Sequence, residues 1–184
     1  MNFIPDQPKS KTPDVPYFDN VSEKDGWQGQ ATGKSIDTLK NEITDAVRRL
    51  GGMVTGFQQG TFTISKQKRD GFQVHYIIED PDGKMTRGRI DIAALPVKED
   101  YRLQRSLKAR REQSLKMSLY MLRVALNGTW FLQQLSPGYA ALLPWMLADG
   151  QRTLTQAWSE KAMMGLLLPP GSSEFVEGSF KEVS

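Results

Sequence analysis

The chain has no cysteine, which excludes disulfides, thiolate metal sites and cysteine nucleophiles. It has one histidine, His75, so centres built from several histidines are impossible and any Ser-His-Asp triad would depend on that side chain. No run of about 18 apolar residues exists to span a bilayer. The nearest approach, residues 139–147, is short and broken by Pro144. Residues 1–13 hold no apolar stretch behind a basic start, so no secretory leader is read there. The expectation is a cytoplasmic protein without a membrane span. One further scarcity is local: between residues 101 and 127 the only carboxylate is Glu112.

That segment holds Arg102, Arg105, Lys108, Arg110, Arg111, Lys116 and Arg123, a local charge of +6. Residues 1–34 sum to −1, 35–100 to zero and 128–184 to −2, against +3 for the whole chain. One segment therefore generates the net charge, which points to an anionic partner docking at one place. With 184 residues and 39% hydrophobic content, a single domain with a sizeable core is expected.

Residues 1–34 carry Pro5, Pro8, Pro13 and Pro16 among charges, Gly and Ser, and lack periodicity. They read as a largely disordered polar arm, with Tyr17, Phe18 and Trp27 large enough to pin it onto the body. Ser35 is a suitable N-cap. Behind it Ile36, Leu39, Ile43, Val47 and Leu50 recur at helical spacing until Gly51-Gly52 stops the helix. Residues 53–64 read as one bulged strand or two short ones. Phe72, Val74, Tyr76 and Ile78 then alternate as one buried strand face, and a third strand covers 85–92.

Asp80-Pro81-Asp82-Gly83 is turn chemistry, with Gly83 in the left-handed conformation. A three-residue loop there pairs Ile78 with Thr86, Tyr76 with Gly88, Val74 with Ile90 and Phe72 with Ile92, all on one apolar face. A slip by one residue would set Tyr76 opposite Arg87, which the pattern disfavours. The reverse face then carries Gln73 opposite Asp91, His75 opposite Arg89 and Ile77 opposite Arg87. It is a second, weaker basic surface.

The basic segment reads as a long helix ending at Asn127-Gly128. On a helical wheel Leu103, Leu107, Leu115, Ser118, Leu119, Leu122 and Leu126 share one side. Arg102, Arg105, Lys108, Lys116, Tyr120 and Arg123 share the other. Such a cationic row suits regularly spaced phosphates, and Tyr120 offers a stacking surface for a base. Arg111 projects toward the apolar side, so either the helix is not straight there or Arg111 is a buried ion-pair partner. Exposed basic faces usually carry balancing acids at i+4, and here only Glu112 does so.

The last third is the most apolar. Trp130, Phe131, Leu132, Tyr139, Trp145 and Trp158 are expected mainly as core, in two or three helices packing on the Phe72–Ile78 sheet face. Met163 and Met164 beside Leu166 suit an adaptable contact with a protein partner or a second copy. Thr153 and Gln156 have the spacing of a capping box that opens a final helix to about Leu168. Residues 171–184 form an acidic flexible tail able to compete for the basic helix.

Several motifs fail. Gly29-Gln30-Ala31-Thr32-Gly33-Lys34-Ser35 has three residues between its glycines where a phosphate loop needs four, and no buried strand precedes it. His75 falls in mid-strand opposite Arg89, as a polar sheet-face residue. Asp80 and Asp82 are explained by their turn. Metal-dependent nucleases need a Glu-x-Lys on a strand, and residues 53–95 contain none. No cofactor, metal site or catalytic constellation is expected.

Residues 35–127, in the order α-β-β-β-α, resemble the double-stranded-RNA-binding fold in topology, and the likeness rests on element order alone. The expected architecture is one α+β domain over 35–170. It has an antiparallel three- to four-stranded sheet in the order α-β-β-β-α, followed by two or three C-terminal helices. The expected function is non-enzymatic binding of DNA or RNA within a larger assembly, through Arg102, Arg105, Lys108, Lys116, Tyr120 and Arg123, helped by Arg87 and Arg89. The alternative is a scaffolding subunit whose basic helix meets an acidic partner surface.

Overall fold

The computed structural model describes residues 15–64, 67–79, 82–99, 106–136 and 139–163. Helix α1 (Ile36–Arg49) begins where expected: the Ser35 hydroxyl accepts the Thr38 amide at 3.1 Å. Its Leu39, Ile43 and Val47 are fully buried. Strands β1 (Gly52–Ile64), β2 (Gln67–Glu79) and β3 (Met85–Ala93) form an antiparallel sheet in that order. The long α2 (Leu107–Leu135) returns across the sheet, and α3 (Leu154–Met163) follows. Both α1 and α2 pack on one sheet face, where Phe72, Val74, Tyr76 and Ile90 meet Leu115, Leu119, Leu122 and Leu126. Burying each such side chain stabilises by roughly 1.5–3 kcal/mol. No helix among the described residues is long and apolar enough to cross a membrane.

The β2–β3 register is the one the hydrophobic alternation requires, from Phe72↔Ile92 to Ile78↔Thr86, with Gly83 at φ +77° in the turn. β1 is a single bulged strand. Its pairing shifts between Val54 and Gly56, leaving Thr55 as the extra residue. β2 starts at Gln67, earlier than the alternation at Phe72 indicated. The first residues, Gln67-Lys68-Arg69-Asp70, are polar because this end of the hairpin carries little core. Arg69 is the buried exception. Its Nε donates to the Ala94 carbonyl at 2.6 Å, tying the hairpin to the end of β3.

Of the arm expected over 1–34, residues 15–34 are described, and they pack. Two 3-10 turns, Phe18–Asn20 and Glu23–Asp25, lay this segment along α2. Phe18 and Val21 join Leu95 and Met117 in a second cluster, with Trp27 at its edge. Gln113 donates to the carbonyls of Gln30 at 2.9 Å and Thr32 at 3.1 Å, and the Ser114 hydroxyl donates to Leu95 at 2.9 Å. α2 is thus buried on two sides, which accounts for Arg110, Ser114 and Met117 being buried off the leucine stripe.

Three expectations about α2 and the C-terminal region are corrected. The helix does not stop at Asn127-Gly128. A mid-helix glycine costs about 1 kcal/mol relative to alanine, and buried Leu126 with Trp130 packed on the core offsets that cost. Its described start is Leu107, because Ser106 is extended and caps the Ala109 amide at 3.2 Å. Residues Arg102, Leu103 and Arg105 lie outside the described residues. Of the two or three C-terminal helices expected, the described residues hold α3 and one 3-10 turn, Leu143–Trp145, since 129–135 belongs to α2.

The C-terminal region meets the expectation of core packing in part: Trp130, Leu142 and Trp145 pack on the main core, whereas Phe131, Leu132, Leu143 and Trp158 are exposed. Ala141 and Leu142 reach the main core, where the Tyr76 hydroxyl donates to the Leu142 carbonyl at 2.9 Å. The chain then passes the β3 edge, with Met146 bridging Gly88 and the Leu147 amide donating to Arg87 at 2.9 Å. α3 opens with the expected capping box. The Gln156 amide donates to the Thr153 hydroxyl at 3.2 Å, and the Thr153 amide to Gln156 Oε1 at 2.9 Å. Gln156 then bonds Asp91 on the sheet face turned away from α1 and α2.

Candidate nucleic-acid interface

α2 brings its cations into contact with acids that lie far away in sequence. Arg110 is buried and pairs with buried Asp19 at 2.9 Å, and it also donates to the Lys98 carbonyl at 2.9 Å. Arg111 forms a two-pronged pair with Asp70 at 2.6 and 2.8 Å. That hydrogen bond and the Asp70 charge push the Arg111 pKa up. Of the two readings of Arg111, a bent helix or a buried ion-pair partner, the pairing is present but the burial is not: the buried arginine is its neighbour, while the Arg111 side chain stays 54% exposed. Glu42 of α1 lies between Lys34 and Arg123, with Arg123 Nε at 3.4 Å. Lys116 pairs with Glu112 at 2.8 Å. Its hydrogen bond and charge, with a smaller push from Lys108, hold that carboxyl below its ordinary range.

Tyr120 is similarly engaged. The Arg123 guanidinium sits 4.5 Å from its ring centroid and the Lys34 ammonium 5.9 Å. Gly29 presses so close that a Cβ there would come within 2.5 Å of Tyr120 Cγ. The segment that resembled a phosphate loop thus serves as packing against Tyr120, ending in the Ser35 cap. Of the six helix residues expected to share one cationic face, Arg102 and Arg105 lie outside the described residues. Lys108 is exposed, and Lys116, Tyr120 and Arg123 are partly buried in contacts within the protein.

Arg87 and Arg89 do not extend that face. They stand on the sheet surface opposite α1 and α2, beside His75 and Ile77. Arg89 pairs with Asp91 at 2.9 Å and reaches Gln156 at 3.4 Å, whereas Arg87 is exposed.

A different set of cations converges at the N-terminal end of α2. A groove of about 330 Å³ runs between Lys68, Arg69 and Asp70 of β2, the 94–97 link and Glu99 after β3, and Leu107 and Arg111 of α2. It adjoins a second hollow of about 580 Å³ that shares Lys68, Pro96, Val97 and Glu99 and adds Tyr17 and Lys98. Lys98 donates to Asn20 Oδ1 at 2.7 Å. Lys68 and Lys108 are exposed and have no ion-pair partner among the described residues. The first turn of α2 contains no acid. Its cations sit at the positive end of the helix dipole, where each is disfavoured by roughly 0.3–1 kcal/mol and an anion is favoured.

Sequence reasoning missed Lys68 and Lys98. Lys66, Lys68 and Arg69 form a basic run at the β1–β2 connection, but it falls in a window whose charges cancel over 35–100. A shorter counting window would have exposed it. No protein-family model matches the chain, and no curated protein or solved structure matches it.

Proposed function

We propose that the protein is a non-enzymatic, cytoplasmic nucleic-acid-binding module that engages phosphates at the N-terminal end of α2. The observation that carries this reading is that Lys68, Lys98 and Arg111, from three parts of the chain, line two adjoining hollows, with exposed Lys108 next in sequence to the lining residue Leu107. Arg102 and Arg105 adjoin it in sequence. Arg111 is exposed enough to exchange Asp70 for a phosphate. Arg123 ties α2 to α1 through Glu42, Lys116 pairs with Glu112 within the helix, and Tyr120 supports the 29–34 segment, so these three act in stability.

Salt titration tests the reading. Affinity for single- and double-stranded DNA and RNA oligonucleotides should fall steeply from low to moderate salt. Lys68→Ala with Lys108→Ala should reduce the slope of log K against log salt by about 2 for a duplex. Arg123→Ala should leave the slope unchanged while lowering stability. Absence of binding to every oligonucleotide at low salt would overturn the proposal.

A second reading rests on a separate observation. Phe131, Leu135 and Trp158 are 59%, 79% and 61% exposed, and Leu132 and Leu143 lie exposed with them. This supports a protein-interaction subunit or homo-oligomer using the C-terminal half of α2. Phe131→Ser with Leu135→Ser should then reduce the particle mass measured by light scattering. A monomeric wild-type protein would remove the homo-oligomer form of this reading.

A further inference from the structure

The sheet surface turned away from α1 and α2 carries a cavity of about 530 Å³, within the range of small-molecule sites. Three strands and one loop build it. β1 supplies Thr55, the extra residue of its bulge, a device that re-aims a side chain out of the regular alternation. β2 supplies His75 and Ile77, and β3 supplies Arg89 and Arg87 directly opposite them in register. Leu147 and Gly150 close one side, and the Leu147 amide anchors that wall by donating to the Arg87 carbonyl at 2.9 Å.

The charge of this cavity is one-sided. Two acids adjoin it: Asp91 is committed to Arg89 at 2.9 Å and to Gln156 at 3.3 Å, and Asp149, between the wall residues Leu147 and Gly150, to Arg152 at 2.6 Å. Among the described residues no carboxylate pairs with Arg87. The exposed Arg87 guanidinium on β3 thus shares one cavity with an imidazole, a hydroxyl and a second arginine, all of them able to donate to an oxyanion. Ile77 and Leu147 give the same cavity an apolar wall. A planar guanidinium fork matches the paired oxygens of a phosphate or carboxylate.

We propose that this cavity binds a small organic oxyanion, its phosphate or carboxylate held by Arg87 with His75 and Thr55, and its apolar body against Ile77 and Leu147. Arg89 is the positioning residue: held by Asp91 and Gln156, it adds positive potential without giving up its partners. The site is separate from the groove at the start of α2, being on the other side of the sheet. Its fate is therefore independent of the nucleic-acid reading.

His75 is the only histidine, so its ring protons give an assigned NMR reporter inside the site. The full chain is titrated at constant pH and ionic strength with phenyl phosphate, inorganic phosphate, benzoate and, as control, sodium chloride. The His75 resonances should move saturably with phenyl phosphate and at least about fivefold less tightly with inorganic phosphate, which lacks the apolar body. Benzoate binding with comparable affinity would place carboxylates within the ligand class. Arg87→Gln should weaken phenyl phosphate at least about tenfold, the loss of one charged hydrogen-bonding group. Unchanged circular dichroism would show that its fold is intact. Thr55→Val, on the exposed bulge, is the second variant and should weaken binding by a smaller factor. His75 resonances that move no further than in chloride, or an Arg87→Gln protein binding as tightly as wild type, would overturn the proposal.

Discussion

Replacing Asp19 by alanine tests whether residues 15–34 are an integral layer of the fold. Asp19 and Arg110 are 9% and 6% exposed and meet at 2.9 Å, and Asp19 also accepts the Lys98 amide at 2.9 Å. Asp19→Ala breaks this buried ion pair, which costs about 3–5 kcal/mol. Against a total stability of about 5–15 kcal/mol for a domain, that is a large fraction. For a chain of this length each kcal/mol moves Tm by roughly 2–4 °C, so a fall of about 6–20 °C is expected. Thermal and urea unfolding followed by circular dichroism would measure it. The companion variant Asp19→Ala with Arg110→Met removes both charges while keeping much of the side-chain volume. It should recover at least about 2 kcal/mol, because replacing both members of a buried ion pair by apolar groups costs far less than removing one. A single variant that loses less than about 1 kcal/mol, or a double variant no more stable than the single, would refute the reasoning and detach the 15–34 segment from the core.

Two more outcomes follow from close packing and burial. Gly29→Ala should destabilise by about 1–3 kcal/mol in urea unfolding, since its Cβ would meet Tyr120 Cγ at 2.5 Å and its φ is +81°. Gly33→Ala, where nothing lies within 4 Å, should stay near neutral. Burial raises the Tyr76 phenol well above its ordinary value. The unfolded chain ionises it near pH 10 while the fold keeps it protonated, so its contribution is intact below about pH 10 and is lost as pH rises beyond. Tyr76→Phe should flatten that alkaline decline in unfolding midpoints, at a cost of about 1 kcal/mol at neutral pH for the bond to Leu142. An identical alkaline slope in both proteins would count against this origin.

What could be read from the residues was what local chemistry decides. The Ser35 cap, the Leu39-Ile43-Val47 stripe, the β2–β3 register and the Thr153–Gln156 box each depend on neighbours a few residues away or on a period of two. All four stand in the structure. The misreadings came where a distant element decides. Gly128 ends a helix by propensity, but Leu126 and Trp130 pack on the core and carry α2 onward. The helical wheel of α2 assumed one buried side, because nothing local reveals that Phe18, Val21 and Leu95 cover a second. β2 extends back to Gln67 without hydrophobic alternation, because its partner strand there is β1 rather than the core.

The charge of α2 has the same character. A segment of +6 looked like one solvent-facing row because its counter-charges, Asp19, Glu42 and Asp70, come from elements outside any local window. Folding divides that row. Arg110 and Arg123 spend their charge inside the molecule, where replacing them would first cost stability. Lys108 remains exposed at the end of the helix whose dipole disfavours it, and Arg111, held by Asp70 yet half exposed, lines a groove with Lys68 from another strand. A protein selected for stability alone would place acids in that first turn, and α2 places none. Under the proposed function, that residual local cost makes the start of the helix the end that meets an anion, while its middle is tied up in contacts within the protein.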